Sequence, residues 1–266
     1  MENNKGIWIG SVLLVCAAAG LGVFFHHFHV RPPIVKEPPP PPQQAVRTEE
    51  KTVSPAPPPK LEQSDDLIRA RAKELSSHPK LADWLKTEDL IRRITAAAEG
   101  IAAGNSPRDG LDFLGPRKGF AVRKKGERLF LNPRSYTRYN LAAEAFQSLD
   151  ADRAVRLFHE LRPLFQDAYR ELGYRDRDFK DTLIRAIKEL LRTPVVEGEI
   201  PLKEKVVSYA LADEKLEGLS GAQKQLLRMG PKNTALIQGK LRELARALGV
   251  PENQLPKSQT YSAKVR

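Results

Sequence analysis

The chain has 266 residues, 41% of them hydrophobic and 29% charged, and a net charge of +11. Its length allows one or two domains, and its single cysteine, Cys16, excludes an intrachain disulfide framework. The positive excess lies almost wholly after residue 60, where 38 Lys and Arg face 29 Asp and Glu. Acidic side chains are interspersed with the basic ones, so this charge reads as a solvated helical surface; it would also draw the domain toward an anionic bilayer or nucleic acid.

From Ile7 to Phe25 the sequence runs without charge or proline. Nineteen helical residues span about 28 Å, close to the ~30 Å hydrocarbon core of a bilayer. Trp8 at one end and Phe24, Phe25 and the histidines 26, 27 and 29 at the other suit the two interfaces. A transmembrane helix over residues 7–29, behind a short tail of residues 1–6, is the reading. Cleavage after Ala17–Ala19 would leave an apolar N-terminus, and Val15 stands where a lipoprotein signal needs a small residue before Cys16. Positive flanks are nearly balanced, with Lys5 before the span and Arg31 and Lys36 after it. The short tail and long C-terminal part follow the signal-anchor pattern, which puts the domain in the periplasm of a two-membrane cell. The pairs Gly6/Gly10 and Ala18/Gly22 could let two spans approach for self-association.

Residues 30–63 form a Pro-rich linker, with eleven prolines between positions 31 and 60. Proline fixes φ and removes the amide donor, so this segment reads as a disordered, extended spacer. Residues 64–248 then turn to helical periodicity. Ser64 is the expected cap of a first helix and Thr87 of a second, which carries Leu90, Ile91, Ile94, Ala97, Ala98 and Ile101 on one face. Phe120 to Leu131 around Gly126 reads as a β-hairpin. Asn132-Pro133 opens a helix that turns Tyr136, Tyr139, Ala143 and Phe146 inward, and Asp150 caps one that Pro163 should kink while its apolar register continues. Further helices follow from Phe179 to Leu191, Ser220 to Met229 and Pro231 to Leu248. Residues 200–211 are open between a strand and an extended crossing segment, and 249–266 read as a flexible polar tail. The expected fold is mainly α: seven or eight helices and one small hairpin behind a single anchor.

No nucleophile elbow, zinc-binding histidine pair or phosphate-cradling glycine loop is present. Neither a catalytic residue, a cofactor nor a metal site is expected, and His78 and His159 read as structural. One stretch offers a rival chemistry. LLRMGPKNTA, residues 226–235, resembles half of a helix-hairpin-helix, with Gly230 in the turn and Lys224, Arg228, Lys232 and Lys240 around it. A helix-ending glycine followed by a helix-starting proline writes the same letters.

The stretches DLIRRITA (89–96), LFLNPRSYTRYN (129–140), LFHELRPLFQDAYRELGY (157–174), LIRAIKELLRTP (183–194) and LSGAQKQLLRMGPKN (219–233) resemble, in order and spacing, a bacterial family called the domain of unknown function 3014. The resemblance implies a membrane segment, a Pro-rich linker and this domain, and no activity or catalytic residue. The expected function is therefore a non-enzymatic, membrane-anchored interaction domain of the inner membrane, facing the periplasm and meeting another envelope protein. A tethered nucleic-acid-binding protein using the Gly230 turn is the first alternative, and an enzyme of unrecognised type the second.

Overall fold

A computed structural model describes residues 60–264, except 108–109, 117–118 and 207. The expected anchor and nearly all of the expected linker lie outside the described residues. Among those described, no helix is long and apolar enough to cross a membrane. A 3-10 turn at Leu61–Gln63 leads into the first helix.

Ten α-helices are present among the described residues: α1 (Ser64–Ala72), α2 (Pro79–Trp84), α3 (Leu90–Ala102), α4 (Arg134–Thr137), α5 (Asn140–Gln147), α6 (Ala151–Glu171), α7 (Phe179–Leu191), α8 (Glu214–Glu217), α9 (Gly221–Leu227) and α10 (Pro231–Ala247). The count exceeds the expected seven or eight because α4 and α8 are single turns and because the chain bends between Tyr136 and Asn140. Asp150, Asp178 and Ser220 cap α6, α7 and α9 with their side chains, and Ser220 with Gln223 forms a capping box. Helix α6 runs unbroken past Pro163.

Two expected caps are wrong in an informative way. Ser64 lies inside α1, and its hydroxyl donates to the Leu61 carbonyl at 2.7 Å. Thr87 lies before α3, whose N-cap residue Asp89 has φ 58° and makes no side-chain cap of its own. Asp65 of α1 supplies the cap instead, accepting from the amides of Asp89 (2.8 Å) and Leu90 (3.0 Å). The first two long helices are thus joined by a carboxylate on the positive end of α3.

The expected hairpin is real, with β1 (Val122–Lys125) and β2 (Arg128–Leu131) paired around Gly126. It is only half of a sheet. Residues 200–211 resolve into β4 (Pro201–Glu204) and β5 (Tyr209–Leu211), giving the antiparallel order β1-β2-β4-β5. Leu129 faces Leu202 across the seam, and the Leu131 amide donates to the Ile200 carbonyl.

The expected loose tail is a correction. Val250 and Leu255 are buried, and Thr260–Ser262 forms β6, parallel to β3 (Val195–Glu197). Asp213 holds this end in place: its carboxylate accepts from the Tyr261 hydroxyl (2.8 Å), the Lys264 amide (2.9 Å) and the Lys215 and Leu216 amides at the start of α8. Burial alone would raise the Asp213 pKa. The hydrogen bonds from Lys264, Tyr261, Leu216 and Lys215 outweigh it and hold the carboxyl below its ordinary range.

Two apolar clusters result. The larger joins α1, α3, α6, α7 and α10, with Phe165 stacked on Phe179 and Tyr169 tilted against Phe179; the smaller lies beneath the four-stranded sheet. Helix α9 belongs to both, with Ala222 in the first and Leu227 in the second.

Candidate functional site

The Gly230 turn joins α9 to α10. Gly230 has φ 88° and ψ 163°, a region that only glycine occupies without strain. A Cβ there would come within 2.8 Å of the Cβ and Cδ1 of Tyr136 and closer still to its Cγ. The ring of Tyr136 therefore covers the turn, and burial pushes its phenol pKa up. The Gly230 amide donates to the Leu227 carbonyl, and Pro231 has no amide to offer. Asn233, 2% exposed, aims its Nδ2 at the carbonyls of Tyr136 (3.1 Å) and Met229 (2.9 Å) and at Asn140 Oδ1 (3.0 Å).

The basic residues proposed around this turn do not gather on it. Lys224 donates to the Glu217 carbonyl at 2.9 Å and pairs with the Glu217 carboxylate at 3.6 Å. Lys240 is 8% exposed and pairs with Glu243. Arg228 is half-buried at the end of α9, and Lys232 is exposed. Two of the five residues of the nucleic-acid reading are thus committed to carboxylates, and the glycine is under a ring.

Of the two histidines among the described residues, His159 is exposed and His78 is half-buried. His78 caps α2, its Nδ1 accepting from the Lys80 amide at 3.3 Å, and His159 is exposed beside Phe158. A cluster the sequence reading missed joins α3, α6 and α7: Tyr169 Oη donates to Glu99 at 2.8 Å and shares a hydrogen bond with Thr182 Oγ1, to which Arg185 also donates. Burial comes first among the causes that raise the Tyr169 pKa. Tyr169 has no exposure to solvent, and its neighbours satisfy one another, so this is a clamp between helices.

The feature that the domain leaves open is apolar. A chamber of about 370 Å³ lies between α3, α5, α7, α9 and α10, and Pro107, Leu111, Asp112, Leu114, Gly115 and Pro116 add to its lining. Its size comes from small residues at inward positions. Ala97 and Ala98 of α3, Ala142 of α5, Ala186 of α7 and Ala222 of α9 all face it where larger side chains would close it. Ile94 and Asp112 both line it and are both exposed, which marks the mouth, and Arg93 neutralises Asp112 at 2.9 Å.

Polar groups on the wall are few and ordered. Tyr139 is 6% exposed; its hydroxyl oxygen accepts from Gln225 Nε2 and from Arg138 Nη2, each at 3.3 Å. The Arg138 guanidinium lies 5.0 Å from the Tyr139 ring centre and 5.8 Å from that of Phe120. Sequence reasoning placed Tyr139 inward and missed Gln225. The signal it could have used is the alanines at core-facing helix positions, which mark either close helix packing or a void.

The two stretches 129–140 and 219–233 meet here. Tyr136 covers Gly230, Asn140 bonds Asn233, and Tyr139 bonds Gln225. The sequence model of the family described as "Protein of unknown function (DUF3014)" matches residues 90–245, a span that holds the whole lining of the chamber from Ile94 to Leu241. No curated protein and no solved structure matches the chain. With more than half of its length matched, the chain belongs to the family of the domain of unknown function 3014.

Proposed function

We propose that this chain is a non-enzymatic binding domain of the bacterial envelope. Residues 7–29 anchor it, the linker of residues 30–63 holds it off the membrane, and its ligand is a small apolar molecule taken into the chamber between α3 and α7. The uncharged run from Ile7 to Phe25 supports the anchor, and the eleven prolines that follow it support the spacer. The C-terminal domain faces the periplasm in this reading.

One observation carries the binding function: the chamber itself. Pockets that take small ligands occupy about 300–1,000 Å³ and are lined mainly by apolar groups with a few placed polar ones. An engineered apolar cavity of about 150 Å³ already takes up benzene, and an apolar void costs stability in proportion to its volume. A domain that keeps 370 Å³ behind five alanines gains by filling it.

Photolabelling tests this with the full chain in its own membranes. A small apolar diazirine, such as an adamantane derivative, should label the peptides of α3 and α7, and an excess of unreactive adamantane should suppress that label. Labelling confined to the anchor, residues 7–29, would sink the proposal. So would label on α3 and α7 that no competitor reduces.

A further inference from the structure

Resting on the anchor and spacer proposed above, and independent of the chamber, we infer that one end of the four-stranded sheet docks on anionic phospholipid of a bilayer facing the one that holds the anchor. The register of the sheet builds this end. Lys125 faces Arg128 across the β1-β2 turn, and β4 runs antiparallel to β2 with Phe130 opposite Pro201 and Leu129 opposite Leu202. Beyond Leu202, β4 therefore advances toward the β1-β2 turn. It pairs with β5 as far as Glu204 opposite Tyr209, so the turn between β4 and β5 projects from the same end.

Charge and an apolar tip meet there. Residues 122–131 and 201–211 carry Lys or Arg at 123, 124, 125, 128, 203 and 205, all exposed, against Glu127 and Glu204. Glu199 pairs with Arg123 and Lys125, and Glu217 with Lys205, while Arg128 and Lys203 have no ion pair among the described residues. Val206, in the turn after Lys205, is fully exposed; the next most exposed large apolar side chain, Leu141, is 51% exposed. Cations beside a bare valine match a lipid surface, where the cations meet headgroup phosphates and the valine leaves water for the acyl boundary. A nucleic acid would use the cations and leave Val206 in water.

The spacer decides which bilayer is touched. A linker with eleven prolines keeps the domain off the membrane of its own anchor, so the surface left to it in a two-membrane cell is the opposite one. The docking is additive and weak, since each basic residue near an anionic surface strengthens binding about fivefold.

The test mixes sucrose-loaded donor vesicles of phosphatidylcholine, carrying the full chain, with fluorescent acceptor vesicles and sediments the donors. Acceptors of equal parts phosphatidylcholine and phosphatidylglycerol should come down with the donors, and added salt should release them. Acceptors of phosphatidylcholine alone should stay behind. Arg128→Gln should weaken capture about fivefold, and Val206→Asp at least as much. Arg175→Gln removes an equally exposed cation from the loop between α6 and α7 and should leave capture unchanged. Unchanged unfolding midpoints report that the three variants are intact. Equal capture of both acceptors, or an Arg175→Gln loss as large as that of Arg128→Gln, would overturn the docking assignment and leave the anchor standing. Capture abolished by phosphatidylglycerol in the donor vesicles would place the docking on the anchor's own bilayer and contradict the facing one. A chain that an alkaline wash strips from the donor vesicles would overturn the anchor and this inference together.

Discussion

The Gly230 turn and the apolar chamber share the helix pair α9 and α10, and they invert each other. In sequence the turn carries every mark of a site, with a glycine, a proline and four basic residues within seventeen positions. In the fold most of it is engaged: a ring covers the glycine, Asn233 Nδ2 meets three acceptors, and Lys224 and Lys240 are bound to carboxylates. The chamber is lined mainly by alanine, leucine and isoleucine, and the side chains around it do not close it. Residues that look chemical are often consumed by structure. What remains for a ligand is the position where the packing stops.

Substitutions should separate the two regions by what they damage. The largest effect belongs to Gly230→Ala, which puts a Cβ into Tyr136 and forces a backbone conformation reserved for glycine. A loss of about 3–5 kcal/mol is expected in urea unfolding, and a loss under 1 kcal/mol would mean the turn is not packed as described. Asn233→Ala should cost about 2–3 kcal/mol, because it removes three hydrogen bonds made by a side chain that is 2% exposed.

Asp213 is another filled polar position, and its effect depends on pH. Its pKa is lowered in the fold, so its contribution is complete above the ordinary aspartate value near ~3.9. It is lost as pH falls through the lower folded value. Acidification through that window should speed amide exchange in β3, where β6 lets go, and Asp213→Asn should flatten the pH dependence. Unchanged exchange would remove Asp213 from its role in holding the tail. At the small end, Lys232→Gln should alter stability by less than about 0.5 kcal/mol. By the same account it should not change binding of the full chain to duplex DNA at any salt concentration; a salt-dependent loss would revive the nucleic-acid reading.

Legibility in the sequence follows the range of the forces involved. Helices α6, α7 and α10 each repeat apolar residues along one face and carry a local signal, Asp150, Asp178 and Pro231 in turn, so they are readable from a short window. Strands β3 to β6 hold three or four residues each. Their partners lie far off in the chain: Leu129 pairs with Leu202, and Val196 with Tyr261. No local pattern can announce such a pairing. The tail's apolar anchors, Val250, Leu255, Tyr261 and Ala263, are too scattered to make a period, and its end is held by Asp213 some fifty residues earlier. Helix α3 shows the same limit, since its cap is Asp65 of another helix. The chamber was the least legible feature, because an alanine that packs closely and an alanine that borders a void are the same letter.

The central claim is that the space behind Ala98 is where this domain binds, and filling it is the most direct test. Ala98→Leu in the full chain, labelled in membranes with the adamantane diazirine, should lose the competitor-sensitive label on α3 and α7. Its thermal unfolding midpoint should stay level or rise, since the added methyl groups enter a void. Undiminished label in a variant that folds normally would contradict the account.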